Sequence, residues 1–299
     1  RSAYQAMMET AKTLLRNQRS LEADPLCSPV REIFKTVGFL EVKEKDQQDE
    51  QTSNIPVIIP AAGEDLVFKK ILNGKPKAML EIGGKTLIEH QVQSLSNANL
   101  ADITLIAGYG KDNLHAEGID ILENPDYQKG SLLNSLLVAK KKMVNGFIML
   151  YSDILMEDHI LSKLMDCKED IVLVADNSTQ YHQPEEGNLL DHIISKNHYK
   201  PARREIRFGS ENVVANIGNK INPETATHEF VGLARFSKTG AEQFLETYSD
   251  VISNFTGPFQ ESEDISQLNF TDLIQEMIDR GFAVHYMEIH KGWLEIHNA

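Results

Sequence analysis

Alternation of strand-like and helix-like segments over residues 57–176 is the feature that most constrains the fold of this chain. Apolar runs such as VIIPAAG, ADITLIAG, FIMLYSD and IVLVAD are separated by amphipathic segments such as KTLIEHQVQSL and EDHILSKLM. Strands joined by crossover helices form parallel sheets that are covered on both faces. The order therefore predicts a Rossmann-like three-layer α/β sandwich, with a mostly parallel, twisted sheet between helices.

The pattern between and after these segments completes the predicted fold. IDILEN is predicted as a further strand, and SLLNSLLVAKKKM as a helix. Beyond Asp176 the alternation loosens, with ENVVANIG and HEFVGLARFS as strands and TGAEQFLETY and FTDLIQEMIDRG as helices. FAVHYMEI is predicted as a late strand that reaches GWLEIHN. We therefore expect a mixed, β-rich later portion.

A polar segment divides the chain. EKDQQDEQTSN, residues 44–54, has almost no apolar residue and is typical of a solvated linker. Before it, residues 1–43 are predicted to be helical and too small to fold alone, since residues 2–18 have a helical apolar stripe. After it, residues 55–299 are predicted to form the main domain.

Composition excludes several classes of function. The 299 residues have a net charge of −14, which repels nucleic acid and anionic lipid. The two cysteines, Cys27 and Cys167, lack metal-like spacing, and no apolar run is long enough to cross a bilayer. We expect a cytoplasmic protein without nucleic-acid or membrane partners, in which a local basic cluster holds any anionic substrate.

Such a basic cluster follows the first strand. Lys69, Lys70, Lys75 and Lys77 come soon after the small-residue turn at 60–63. Ligands of open α/β sheets collect at the carboxyl ends of the strands, and small residues there let backbone N–H groups approach a phosphate. A nucleotide triphosphate site is one interpretation of this segment, and a solvated lysine face is the other.

Four segments decide between these interpretations by resemblance. AAG, PKAMLEIGGKTLIEHQ, ENPDYQKGSLLNSL and YSDI together resemble the nucleotidyltransferases that make sugar nucleotides and CDP-alcohols, over roughly residues 55–299. The resemblance implies that Lys77 contacts the α-phosphate and that Asp153 binds Mg²⁺. It also implies a nucleotide pocket formed by Ala61, Ala62, Gly63, Glu64, Asn124, Gly130, Ser131 and Ser135.

The chain departs from that family in two motifs. Glu64, Asp65 and Leu66 stand where the family has a phosphate-binding arginine, so Lys69, Lys70 or Lys75 are candidates to replace it. In GWLEIH, Glu295 matches a late metal ligand of the family, whereas His297 replaces its aspartate. Because Mg²⁺ prefers oxygen ligands, Glu295 is the predicted second ligand. His297 either binds the metal through a water molecule, contacts the substrate or lies on the surface.

A second resemblance constrains the acceptor. Residues 1 to about 38 are similar to the carboxyl-terminal end of a phosphoenolpyruvate mutase, which implies an upstream mutase domain in the full-length chain. The association implies transfer of CMP from CTP to a phosphonate, with 2-aminoethylphosphonate as the leading acceptor. Candidate acceptor residues are Arg203, Arg204, Tyr181 and Asp191. Phosphocholine or a sugar phosphate is the alternative acceptor, and a glycosyltransferase or a non-catalytic nucleotide-binding domain is a more distant alternative.

Overall fold

The computed structural model describes residues 54–178, 190–196 and 212–296. Its strands are β1 (Val57–Ala61), β2 (Glu81–Ile82), β3 (Lys85–Thr86), β4 (Ile103–Ala107), β5 (Asp120–Glu123), β6 (Phe147–Leu150), β7 (Ile154–Met156), β8 (Ile171–Asp176), β9 (His192–Ser195), β10 (Val214–Gly218), β11 (His228–Phe236), β12 (His285–Ile289) and β13 (Trp293–Glu295). Its α-helices are α1 (Lys69–Leu72), α2 (Leu87–Asn97), α3 (Leu132–Leu136), α4 (Asp158–Asp166), α5 (Lys238–Asn254) and α6 (Phe270–Asp279). The predicted segment 1–43 and the linker lie almost wholly outside these ranges.

Four parallel strands form one side of the main sheet, with β5 at its edge. Their spatial order is β5-β4-β1-β6, so β1 has β4 on one side and β6 on the other. All residues of β1 and β4 are buried, as expected for strands that are covered on both faces. The structure confirms the prediction of a Rossmann-like α/β sheet.

The later strands extend this sheet with mixed directions. β11 runs antiparallel to β6 and β8, and β12 runs parallel to β8. Gly232 lies at an irregularity of β11 with a φ of 75°, and a Cβ there would come within 2.4 Å of the Tyr151 ring. Only glycine allows that approach, which brings β11 against the turn after β6. The mixed later portion agrees with the prediction.

The core lies on both faces of the sheet. Ile58 faces one cluster of apolar side chains, which includes Phe244 of α5 and Phe270 of α6. Its neighbours in β1 face the other cluster, which includes Leu95 of α2 and Leu164 of α4. Each fully buried side chain of this size contributes roughly 1.5–3 kcal/mol. The two clusters give the predicted three layers.

Two local predictions are wrong in detail. FAVHYMEI and GWLEIHN do not form one strand: β12 belongs to the main sheet, whereas β13 pairs with β7. The chain turns between them at Lys291 and Gly292, which have φ angles of 62° and 84°. Asp176 holds this turn by accepting from Lys291 N and Trp293 Nε1. The helix predicted for SLLNSLLVAKKKM is also shorter, since α3 passes into a 3₁₀ turn at Leu137–Ala139.

Within the described ranges, no helix is both long enough and apolar enough to span a bilayer.

Candidate active site

A cavity lies where β1 and β6 end. It has a volume of about 250 Å³. β4 and β6 lie on opposite sides of β1, so the strand order reverses at this point. Open α/β sheets bind ligands at such a reversal. The cavity is lined by Pro60, Ala61, Ala62, Gly63, Glu64, Asp65, Lys77, Ala78, Tyr127, Gly130, Ser131, Leu132, Ser135, Ser152 and Asp153. Most of the predicted nucleotide-site residues therefore line one cavity.

Lys77 is a basic residue that lines this cavity. It begins a 3₁₀ turn after Pro76, and its Nζ lies 2.9 Å from Asp153 Oδ2 and 3.0 Å from Asp65 Oδ2. Only 14% of the Lys77 side chain is exposed. Burial alone would lower the pKa of Lys77, but the two carboxylates outweigh it and hold that pKa above its ordinary value. Lys77 therefore stays charged at neutral pH.

The other three lysines of the cluster do not line the cavity. Lys69 forms an ion pair of 2.9 Å with Glu64, and 58% of its side chain is exposed. Lys70 and Lys75 are exposed as well. None of these three is among the cavity residues of the described chain. Their role as substitutes for the missing arginine stays a prediction, since their side chains would have to extend into the cavity from outside it.

Asp65 has no predicted role in the nucleotide site, although its carboxylate contacts Lys77. Its Oδ1 accepts hydrogen bonds from the N–H groups of Val67 at 2.9 Å and Phe68 at 3.0 Å. The Phe68 ring lies 5.4 Å below Lys77 Nζ, within the range of a cation–π contact. Aspartate commonly accepts from the backbone N–H two residues ahead, so this turn could have been predicted from sequence. Its ion pair to Lys77 could not.

Asp153 lies in a turn that Gln91 holds from α2. Gln91 is buried, and its Nε2 donates to the carbonyl oxygens of Tyr151 at 2.8 Å and Ile154 at 2.9 Å. These two bonds bracket Asp153. α2 is fixed in turn by a capping box between Thr86 and Glu89, directly after the turn at Gly83 and Gly84. The motif IEHQ thus positions the predicted metal ligand from a distant part of the chain.

The remaining wall of the cavity is built by the segment 124–135. Ser131 caps α3 by accepting from Asn134 N, and its Oγ donates to the Leu268 carbonyl. Asn124 is buried behind the cavity and donates from Nδ2 to Ser135 Oγ at 3.0 Å. Asn124 thus orients the Ser135 hydroxyl, and its own nucleotide contact stays a prediction, since Asn124 is not among the cavity residues of the described chain. Gly130 lies too close to the Asn134 side chain for a Cβ, at 2.7 Å.

β13 brings the backbone of Glu295 beside the turn that contains Asp153, although Glu295 is not among the cavity residues of the described chain. Glu295 pairs in register with Ile154, and the next residue, Ile296, donates from its N–H to the Asp153 carbonyl at 3.0 Å. Burial raises the pKa of the Tyr151 hydroxyl, and the charges of Asp191 and then Glu295 raise it further. Both predicted metal ligands therefore lie beside the same turn. His297 is outside the described residues.

These two carboxylates fit a magnesium ion by their chemistry. Mg²⁺ takes oxygen ligands, and it commonly uses one or two protein carboxylates together with water and phosphate oxygens. The ion pair to Lys77 uses Asp153 Oδ2. In the described ranges, no three His, Cys, Asp or Glu side chains are grouped to hold a metal by themselves.

Asp191 is the one predicted acceptor residue that the structure describes. It is largely buried, and Tyr151 OH donates to its Oδ2 at 3.4 Å. Burial, followed by the negative charge of Glu295, raises the pKa of Asp191 to about 7. Asp191, Glu295 and Asp153 therefore form an acidic region around Tyr151, which would favour a cationic ligand. Arg203, Arg204 and Tyr181 lie outside the described residues.

Known proteins are similar to this chain in sequence. The family of MobA-like NTP transferase domains matches residues 58–204. The CTP:phosphoglutamine cytidylyltransferase of Campylobacter jejuni is 23% identical over 252 residues, which cover 80% of this chain and 94% of that enzyme.

Two solved structures show that the fold is shared. The CTP:phosphocholine cytidylyltransferase of Streptococcus pneumoniae matches with a TM-score of 0.59 and 16% identity, covering 82% of this chain and 94% of the other. A nucleoside-diphosphate-sugar pyrophosphorylase of Vibrio cholerae matches with a TM-score of 0.57 and 21% identity, covering 81% and 96% respectively.

Proposed function

We propose that this chain, whose residues 58–204 match the family of MobA-like NTP transferase domains, transfers CMP from CTP to a small phosphonate and releases pyrophosphate. The observation that carries the proposal is the pairing of Lys77 with Asp153 at the carboxyl ends of β1 and β6, across a cavity of about 250 Å³. This arrangement places one fixed positive charge and one carboxylate at the switch point of the sheet. A nucleotide triphosphate needs both, the second through a metal ion.

The reaction follows from the charges. A phosphonate oxygen attacks the α-phosphorus of CTP, forming a new P–O bond. The bond from that phosphorus to the oxygen bridging to the β-phosphate breaks, and pyrophosphate leaves with its electron pair. Lys77 stabilises the negative charge that develops on the α-phosphate. A phosphonate already has nucleophilic oxygens at neutral pH, so no general base is required.

Asp153 and Glu295 would hold magnesium beside the α-phosphate. The ion, when bound, supplies positive charge that lets two anions approach each other. Gln91 and the bond from Ile296 to the Asp153 carbonyl keep these carboxylates in place. Ala61, Ala62 and Gly63 would let backbone N–H groups approach the nucleotide, and Ser131 and Ser135 would contact its base or ribose.

The acidic region around Tyr151 supports an amino-phosphonate as acceptor. Asp191 is held largely out of water beside Tyr151, and Glu295 raises its pKa further. An ammonium group bound there would neutralise this charge, whereas a neutral sugar would leave it uncompensated. 2-Aminoethylphosphonate also agrees with the resemblance of residues 1 to about 38 to phosphoenolpyruvate mutase. Arg203 and Arg204 are the proposed partners of the phosphonate group.

CTP is proposed as donor because relatives of this chain use it. The similar enzymes of Campylobacter jejuni and Streptococcus pneumoniae are both named as CTP-dependent cytidylyltransferases. The latter acts on phosphocholine, whose quaternary ammonium would suit the same acidic region. Phosphocholine is therefore the second candidate acceptor.

Pyrophosphate release tests the proposal. The chain is incubated with Mg²⁺, each nucleoside triphosphate in turn, and 2-aminoethylphosphonate, phosphocholine or a sugar phosphate. We expect release with CTP and 2-aminoethylphosphonate, and none when the acceptor is omitted. Release only with phosphocholine would transfer the proposal to the second acceptor. Absence of turnover with every pair would contradict the enzymatic proposal and favour a non-catalytic nucleotide-binding domain.

A further inference from the structure

Asp65 occupies the segment in which the phosphate-binding arginine is missing, and it faces the proposed catalytic lysine. Its side chain is 17% exposed, and its Oδ2 is 3.0 Å from Lys77 Nζ. The opposite partner, Asp153, is at 2.9 Å and is 19% exposed. Lys77 is thus held between two carboxylates that are both largely shielded from water.

A lysine ammonium has three N–H donors. Asp153 and Asp65 each accept from one, which fixes the direction of the third, and Lys77 also lines the cavity. We propose that Asp65 is a positioning residue that orients the Lys77 ammonium so that its third N–H faces the α-phosphate. This inference rests on the proposed function.

Asp65 is itself held rigidly enough for this role. Because its Oδ1 accepts from Val67 N and Phe68 N, its Oδ2 has little freedom to turn away from Lys77. The Phe68 ring adds a contact below the ammonium. A free lysine side chain has several rotatable bonds and would have to be ordered during the reaction. An ammonium that is oriented beforehand avoids that cost.

The opposite role would be a latch, in which Asp65 competes with the nucleotide for Lys77. A latch slows the reaction, so its removal would raise the rate and lower KM for CTP. Positioning gives the reverse, since removal lowers kcat and changes KM little. The two roles therefore differ in the sign of the effect on the rate.

Asp65→Asn is the main variant, because asparagine keeps an oxygen for Val67 N and Phe68 N and loses the charge. Asp102→Asn is the matched control, because Asp102 is likewise one of two aspartates that pair with one lysine, Lys142, outside the cavity. We expect Asp65→Asn to lower kcat about 10-fold with KM for CTP within about threefold, and the control to change neither. A kcat within twofold of the parent, or an increase, would overturn the proposal.

A double-mutant comparison shows whether Asp65 acts through Lys77. In a Lys77→Ala background, Asp65→Asn should cause no further loss, since the group that it orients is gone. A further loss of about 10-fold would mean that Asp65 acts independently or only supports the local structure. Asp65→Ser, which also keeps an acceptor for the two N–H groups, repeats the test if the asparagine variant does not fold.

Acylation of Lys77 gives a readout that does not depend on turnover. Brief treatment with an acetyl N-hydroxysuccinimide ester, followed by peptide mass spectrometry, measures how available the Lys77 amine is. We expect labelling of Lys77 to increase several-fold in Asp65→Asn and to stay at the parent level in Asp102→Asn. Unchanged labelling would overturn the positioning role even if no nucleotide turns over, whereas increased labelling without turnover would contradict the proposed function alone.

Discussion

Removal of the Lys77 charge should have the largest effect of any single substitution in the cavity. Lys77→Ala deletes the ammonium that lies between Asp65 and Asp153 and faces the proposed α-phosphate. Since 14% of the lysine side chain is exposed, an effective dielectric constant of about 20 applies, and a unit charge pair at 4 Å is worth about 4 kcal/mol. Part of that interaction is present already in the ground state.

The part realised only in the transition state is about 2.7–4 kcal/mol, the usual effect of removing one preorganised donor. We therefore expect the initial rate of pyrophosphate release to fall about 100- to 1000-fold. Two carboxylates also lose their cation, so the free energy of unfolding should decrease by about 1–3 kcal/mol. The assay is steady-state release at saturating CTP and Mg²⁺, at a temperature where circular dichroism shows the variant folded.

Lys142→Ala is the matched control for this prediction. Lys142 also pairs with two aspartates, Asp102 at 3.0 Å and Asp120 at 2.6 Å, but it lies outside the cavity. It should alter stability without altering the rate of the folded protein. A Lys77→Ala rate within threefold of the parent, or an equal loss in Lys142→Ala, would refute the reasoning.

Three further substitutions test the surroundings of Lys77. Gln91→Leu removes both bonds that bracket Asp153, and kcat should fall about 10-fold with normal CTP binding by calorimetry. Glu295→Gln should raise the Mg²⁺ concentration for half-maximal rate about 10- to 100-fold, measured by magnesium titration. Burial and Glu295 raise the pKa of Asp191 to about 7 in the folded chain, so its ionisation costs stability as pH rises from about 4 to 7. Asp191→Asn should therefore raise Tm at pH 8 and leave it nearly unchanged at pH 4, by scanning calorimetry.

Each of these three has a contradicting outcome. A normal kcat in Gln91→Leu would show that the turn at Asp153 keeps its conformation without the hydrogen bonds from Gln91. An unchanged magnesium requirement in Glu295→Gln would remove Glu295 from the metal site. An equal Tm gain at both pH values in Asp191→Asn would mean that packing, rather than charge, causes the effect.

The parallel core could be predicted from sequence because its signal is local. Buried strands such as β1 and β4 read as continuous apolar runs, and the helix between them carries its own capping box at Thr86 and Glu89. The break between β12 and β13 was missed because it depends on Asp176, which holds Lys291 and Trp293 from a distant strand. Gly292 was visible in the sequence, but its φ of 84° was not.

The candidate site likewise contains residues that sequence motifs mark and residues whose roles depend on long-range contacts. Small residues after β1, Lys77 and Asp153 were found because motifs mark them, and the structure brings them into one cavity. Gln91 ends the motif PKAMLEIGGKTLIEHQ, yet its hydrogen bond to the Tyr151 carbonyl spans 60 residues of chain and has no signal in the sequence. Asp65 stands out in the sequence only as a departure from the first family motif, because its contact with Lys77 forms only in the folded chain. Long-range side-chain contacts are thus what the sequence did not provide.

A crystal structure of the chain with CTP and Mg²⁺ tests the central claim most directly. We predict that the triphosphate lies in the cavity between β1 and β6, with an α-phosphate oxygen about 3 Å from Lys77 Nζ and the metal on Asp153. A nucleotide bound elsewhere on the chain, or one in this cavity whose α-phosphate is out of reach of Lys77, would contradict the account.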